Sequence, residues 1–160
     1  VAALNTNTKQ QVRIVHDDLT DLHRTVQELG ILTYLPHPIH VVQLETLGVS
    51  TLPNSNSPLL KVYAHAEYTL AEMQSLGVLK FMPARQMLCF MNQTLLGLRY
   101  LHEQGIMLGC LGPDCLYVTT SLCTVNPHLS RDKCKESFAG AKVQIGRAGD
   151  FILKGEPPYP

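Results

Sequence analysis

The stretch from Pro83 to Gln104 reads as one uninterrupted amphipathic helix, and any fold for this chain must find room for it. Proline is tolerated in a first helical turn, because its missing N–H had no partner there. Met87, Met91, Leu95, Leu98 and Leu101 then recur at steps of three or four, which predicts a single inward stripe. Cys89 falls on the same helix and is expected in the core. Gly105 stands where a helix usually terminates in a left-handed residue.

The segments around this helix do not follow a regular strand–helix alternation. Val12, Ile14 and His16 repeat with the period of two of a strand. Asp17 and Asp18 follow, with acceptors suited to a helix start. Leu19, Leu22, Val26, Leu29, Leu32 and Leu35 then form a helical stripe, stopped by Pro36 and Pro38. Ile39–Leu47 and Leu59–Tyr68 are β-rich runs around a loop of Ser, Asn and Pro at 48–58, and predict an antiparallel hairpin. Thr69–Gly77 predicts a short helix with Leu70, Met73 and Leu76 inward. Ile106–Val118 holds short apolar runs around Gly109, Gly112 and Pro113. A polar, cysteine-bearing insertion spans 119–140, and Val143-Gln144-Ile145 reads as a further strand. The proline-rich tail 155–160 is expected to be extended. This mixed order favours an α+β fold over a doubly wound sheet.

Composition narrows the function classes. The 160 residues are 45% hydrophobic and 16% charged, which suits one folded domain. Lys+Arg and Asp+Glu balance at 13 each, so the basic excess of a nucleic-acid or acidic-membrane binder is missing. The apolar run nearest to membrane length, Val78–Leu98, is broken by Lys80, Arg85, Asn92 and Gln93, and no membrane insertion is expected. Five cysteines form no even framework and point to a reduced, cytoplasmic or otherwise intracellular setting. Nothing at Val1 has the layout of a signal peptide.

The run Leu98-Arg99-Tyr100-Leu101-His102-Glu103-Gln104-Gly105-Ile106, leading into Leu111-Gly112-Pro113-Asp114-Cys115-Leu116-Tyr117-Val118, resembles the eukaryotic protein-kinase fold. There a long helix ends in a Tyr-Leu-His-x-x-Gly-Ile type of segment and is followed by the catalytic loop. Glu28-Leu29-Gly30-Ile31-Leu32, with Leu35-Pro36-His37-Pro38 and Val41-Val42 after it, resembles the regulatory helix and the strand behind it. Glu67-Tyr68, after Lys61-Val62-Tyr63, looks like the hinge. The resemblance implies a partial kinase-like domain over 1–160. Residues 1–68 would be an incomplete small lobe of antiparallel strands, regulatory helix and hinge; residues 69–160 would begin a helical large lobe, with 119–140 inserted. Against a fold of about 250 residues, the chain is expected to be cut at both ends and to expose apolar surface of the long helix.

Phosphoryl transfer asks a protein for positioning and charge control. Carried onto this chain, the resemblance puts Cys110 at the catalytic Asp, Gly112 at the Lys and Cys115 at the metal-holding Asn. Leu108 and Gly109 stand at the bracing His and Arg. A thiol is a poor ligand for a hard cation and, with a pKa of about 8.5, a poor stand-in for a carboxylate base. The expectation is therefore a non-enzyme, a pseudokinase acting as a protein-interaction scaffold or allosteric regulator. Residual ATP binding or weak Ser/Thr kinase activity is the alternative, and an unrelated α+β binding domain a further one. No metal and no resident cofactor are expected.

Two registers for the metal-binding Asp-Phe-Gly stay open, one placing Arg147 at the Asp and one using Asp150 itself. Glu28, Glu67, Tyr68, Arg147 and Asp150 are thus the candidate remnants of a nucleotide site. Arg147 could pair with Glu28 and hold the helix inward; the other reading leaves Glu28 a solvated helix charge. Lys9 or the tetrad Val1-Ala2-Ala3-Leu4 would hold the strand lysine position. Cys110, Cys115, Cys123, Cys134 and His128 match zinc-ligand spacing only loosely, so free or buried thiols are the better reading. Partner proteins are expected, without identity.

Overall fold

The fold was analysed in a computed structural model of the chain. It describes residues 2–6, 11–17, 22–36, 39–49, 59–64, 68–119, 138–146 and 151–153. The element order is β1 (Ala2–Leu4), β2 (Gln11–Asp17), α1 (Leu22–Tyr34), β3 (Leu44–Val49), β4 (Leu59–Ala64), β5 (Tyr68–Thr69) and α2 (Leu70–Ser75), followed by α3 (Ala84–Glu103), β6 (Ile106–Leu108), β7 (Leu116–Thr119), β8 (Lys142–Ile145) and β9 (Phe151–Leu153). Short 3₁₀ turns at Leu79–Phe81 and Pro113–Cys115 precede α3 and β7. The mixed α+β expectation holds.

Strands β1-β2-β4-β3 form one antiparallel sheet, β5-β7-β8 a second, and β6-β9 a two-stranded ribbon. In the first sheet Arg13 faces Tyr63 and Val15 faces Lys61 across β2 and β4. Cross-strand partners share a face, so these four side chains lie on one side of the sheet. The expected hairpin is β3–β4, but its first strand begins at Leu44 rather than Ile39. Residues 40–42 instead run beside β8: Val41 forms a parallel bridge to Ile145, the Val42 N–H donates to Ile145 O (2.8 Å), and the Ile145 N–H donates to His40 O (2.8 Å). Val41 and Val42 are buried there, which explains why so β-rich a run leaves the hairpin.

Two predicted stripes hold only toward their C-terminal ends, where Leu101 and Leu35 are buried and Leu98 and Leu32 pack against the core. On α3 the buried positions are Phe90, Thr94, Gly97 and Leu101, while Met87, Met91 and Leu95 are exposed, Leu95 at 63%. Cys89 is exposed as well. The helix carries two apolar faces, and the closer approach of Gly97 decides which is covered. On α1 the buried residues are Thr25 and Ile31, with Leu35 just beyond its end, and Leu22 and Val26 face outward. On α2 Met73 is buried as expected, whereas Leu76 is exposed. Gly105 does end α3 with a positive φ of 74°.

One core cluster joins Ile31, Leu35, Val41, Leu101, Ile106 and Ile145, so α1, the 40–42 segment, α3, β6 and β8 share it. A second gathers Met73, Val78, Phe90, Val118, Phe138, Ala141 and Val143 under α2. Polar ties from α3 reinforce both: Gln93 Oε1 accepts from the Val143 N–H (2.7 Å), Gln86 Nε2 donates to Ala141 O (3.1 Å), and the Tyr100 hydroxyl donates to Pro36 O (3.0 Å). Among the described residues no helix is long and apolar enough to cross a membrane.

The Gly97 contact makes a testable pair with Gly30. A Cβ on Gly97 would lie 2.8 Å from His40 O and 3.0 Å from Ile145 Cδ1, whereas one on Gly30 meets nothing within 4 Å. Gly97→Ala is expected to destabilise by about 1–3 kcal/mol through overpacking, and Gly30→Ala to stabilise by up to about 1 kcal/mol through helix propensity. Thermal unfolding of the two variants checks both signs. Burial also pushes the Tyr100 phenol above its ordinary value of 10.0. Its neutral form is thereby favoured in the fold, so this contribution is present below the unfolded pKa and is lost as pH rises through the higher folded value. The unfolding midpoint should fall as pH rises past the ordinary phenol value of 10.0, and less so in Tyr100→Phe.

Candidate functional site

Lys61 interrupts an apolar strand, Leu59-Leu60-Lys61-Val62-Tyr63-Ala64, yet its residue is only 4% exposed. Lysine is almost never buried unless paired. Its Nζ lies 2.6 Å from Glu28 Oε2, and the Tyr63 hydroxyl donates to Glu28 Oε1 at 2.5 Å. Lys61 and Tyr63 are two residues apart and so project from the same face of β4. That face meets α1 where Glu28 points in. Both carboxylate oxygens are thus engaged, and the helix is tied to the sheet by a nearly dry, charge-assisted contact.

Sequence reasoning singled out Glu28 and missed its partner. The cation comes from β4, not from the strand that precedes the helix, where Val15 stands opposite Lys61. Of the two expected lysine positions, Lys9 lies outside the described residues and Leu4 belongs to edge strand β1, with β2 between it and β4. The signal available was a lone lysine inside an apolar β-run. Glu28 is not a solvated charge: its side chain is 12% exposed. Arg147, its other proposed partner, lies outside the described residues, as do Asp150 and Glu67.

Tyr68 opens β5 and pairs with Val118, packing half-buried against the second core cluster. The neighbouring Thr69 caps α2 through a capping box. Its Oγ1 accepts from the Glu72 N–H (3.1 Å), and Glu72 Oε2 accepts from the Thr69 N–H (2.6 Å). The other oxygen, Glu72 Oε1, is 3.7 Å from Arg13 on β2. The Arg13 guanidinium also lies 4.9 Å from the centre of the Tyr117 ring on β7. This contact spans the cleft between the two larger sheets.

Cys110, Gly112 and Cys115 share the loop between β6 and β7. Cys110 is exposed, whereas Cys115 is buried at 1% with its Sγ 3.6 Å from Cys110 O. The Cys115 N–H donates to Gly112 O (3.0 Å), and Cys115 O accepts from the Gly146 N–H (2.8 Å). The loop therefore brings the two cysteines together and ties them to the end of β8. Among the described residues no group of three or more His, Cys, Asp or Glu could hold a metal ion; Cys123, His128 and Cys134 lie outside them.

The ion pair yields a sharp expectation. Lys61→Met strands a buried carboxylate and should cost about 3–5 kcal/mol. Lys61→Met combined with Glu28→Leu should recover most of that loss, because a well-packed apolar pair is often no worse than a buried ionic one. Tyr63→Phe should cost less than Lys61→Met. Chemical denaturation of the four variants, including Glu28→Leu alone, measures the coupling.

Comparison with known proteins agrees with this architecture. No family model matches the chain. A probable serine/threonine-protein kinase of Arabidopsis thaliana is 31% identical over 98 residues, which is 61% of this chain and 13% of that protein. The crystal structure of the yeast RNA Pol II CTD kinase CTDK-1 complex superimposes with a TM-score of 0.69 at 16% identity, over 97% of this chain and 43% of the matched one. The chain thus spans less than half of either relative. Both are named as kinases, and this overturns the expectation, drawn from Cys110, Gly112 and Cys115, that the chain is no enzyme. The sheet-and-helix arrangement around Glu28 and Lys61, the long helix α3 and these likenesses together give the chain a protein-kinase-like fold, present here as a partial domain.

Proposed function

We propose that the chain serves as a kinase-like regulatory and docking module whose working part is the inward position of helix α1. The observation that carries this reading is the Glu28–Lys61–Tyr63 contact. In protein kinases a strand lysine and a helix glutamate must be paired for phosphoryl transfer, and control of that helix is control of the enzyme. Here the pair is closed within the chain itself, from a neighbouring strand, with a tyrosine sharing the carboxylate. This contact ties the helix to the sheet and presents one arrangement to partner proteins. Exposed Leu22 and Val26 support protein contact, as does a groove of about 590 Å³ beside α1 lined by Val26, Ile31, Leu35 and Ile106. Among the described residues, the exposed thiols of Cys89 and Cys110 suit a reducing, intracellular compartment.

A second reading, ATP binding with transfer to a Ser or Thr hydroxyl, is favoured by the names of the relatives and by Lys61 itself. An ammonium released from Glu28 is a ready partner for a phosphate.

Hydrogen exchange of the α1 amides, with and without ATP and Mg²⁺, separates the readings. The regulatory reading expects α1 protection to be the same in both conditions and to be lost in Lys61→Met. A nucleotide-dependent rise in α1 protection, with phosphate incorporated into a generic Ser/Thr substrate, would favour the second reading and remove the first.

A further inference from the structure

The loop between β6 and β7 brings together two thiols of opposite exposure. Cys110 is open to solvent, while Cys115 is 1% exposed. Cys115 is also the anchored member. Its N–H donates to Gly112 O (3.0 Å), its carbonyl accepts from the Gly146 N–H (2.8 Å), and its Sγ lies 3.6 Å from Cys110 O. A carbonyl oxygen is about 2.4 Å from its own Cα, so the Cys115 sulfur lies no more than about 6 Å from the Cys110 Cα.

An S–S bond is about 2.05 Å long and joins Cα atoms about 4.4–6.8 Å apart. Closure between the two residues therefore asks for rotation of the Cys110 side chain and a modest movement of its backbone. Residues 109–112 belong to no helix or strand, and Gly109 and Gly112 flank Cys110 and Leu111, which leaves that backbone free of side-chain restraint on either side. Cys89 gives the contrast. It is equally a surface thiol, but it stands on α3, which carries no second cysteine.

We infer that Cys110 and Cys115 form a hydroperoxide-responsive thiol pair, in which Cys110 is oxidised and Cys115 resolves it as a reversible disulfide. Exposure selects Cys110 for the first step. Its sulfur attacks one peroxide oxygen, the O–O bond breaks, Cys110 becomes a sulfenic acid, and the second oxygen leaves as water with the thiol's proton. The Cys115 sulfur then attacks the Cys110 sulfur. The S–S bond forms, the S–O bond breaks, and the hydroxyl leaves as water with the Cys115 proton, for which Asp114 Oδ1, 3.9 Å from Cys115 Sγ, is an acceptor within reach. Two thiols lose two electrons and one peroxide becomes two waters. The product ties the loop to the residue that is bonded to Gly146, and a dithiol reductant reverses it.

The test treats the whole reduced chain with equimolar hydrogen peroxide, blocks remaining thiols by alkylation and maps peptides without reduction. Cleavage before Asp114 separates the two cysteines, so their link is read directly by mass. The Cys110–Cys115 link is expected as the main product, to form about tenfold faster in the folded chain than in urea, and to disappear with dithiothreitol. Cys115→Ser and Cys115→Ala, each first shown to unfold cooperatively, should stop at a sulfenic acid on Cys110 that dimedone captures. Cys110→Ser, a change at an exposed position, should leave Cys115 unoxidised and Cys89 as reactive as before. A link from Cys110 to Cys89, Cys123 or Cys134 instead, a rate no greater in the folded chain than in urea, or Cys110 labelled by dimedone no more in the Cys115 variants than in the unaltered chain would each overturn the inference. Failure here leaves the α1 exchange experiment unaffected, because that experiment reads Glu28 and Lys61 rather than the loop thiols.

Discussion

Everything about the position of α1 follows from one ion pair kept almost free of water. An isolated buried ammonium or carboxylate costs several kcal/mol to desolvate. Lys61 and Glu28 each make the other tolerable, with Tyr63 filling the remaining acceptor. The two residues lie 33 positions apart, so the pair forms only when helix and sheet have docked in the correct register. A helix displaced by one turn would leave two charges stranded. Hydrophobic packing alone does not impose that discrimination, since Leu22 and Val26 show that the apolar stripe of α1 has freedom in how it turns.

The second organising feature is a crossing. Residues 40–42 run along the edge of β8 against α3, close enough to the helix that only glycine fits at position 97. This brings Val41 into the same cluster as Ile31 of α1 and Ile145 of β8. Just after β8, the Gly146 N–H donates to Cys115 O in the loop after β6. A continuous path of packed and hydrogen-bonded groups thus links α1 to the loop holding Cys110 and Cys115. Gly146 also lies against the ring of Tyr117, so a single residue touches both the loop and β7.

Periodicity made much of this architecture legible. The helix opened by Pro83 and closed by Gly105, the β3–β4 hairpin and the strand at Val143–Ile145 all follow from patterns of two and of three to four. Which face of a helix is buried was not legible, because α1 and α3 each carry more apolar positions than one neighbour can cover. The choice rests on Gly97, which lets His40 and Ile145 approach the helix, and on Glu28, which the sequence shows only as a charge. Lys61 was hidden for a different reason. A strand lysine was sought beside the helix in sequence, while the sheet order β1-β2-β4-β3 puts β4 in reach of α1. Adjacency in a sheet is set by register and topology, which one strand's residues do not state. Arg13 and Tyr117 gave no local signal, since stacking across a cleft leaves no trace in spacing.

The outward face of α3 carries Met87 and Met91 beside Leu88 and Leu95, all exposed. Thioethers differ from the leucines around them in one chemical respect. Oxidation turns each into a polar sulfoxide, and enzymes exist that reverse it. The apolar character of this face is therefore not a fixed property of the helix. It varies with the oxidant history of the molecule, and whatever covers the face will meet either a greasy surface or one studded with dipoles.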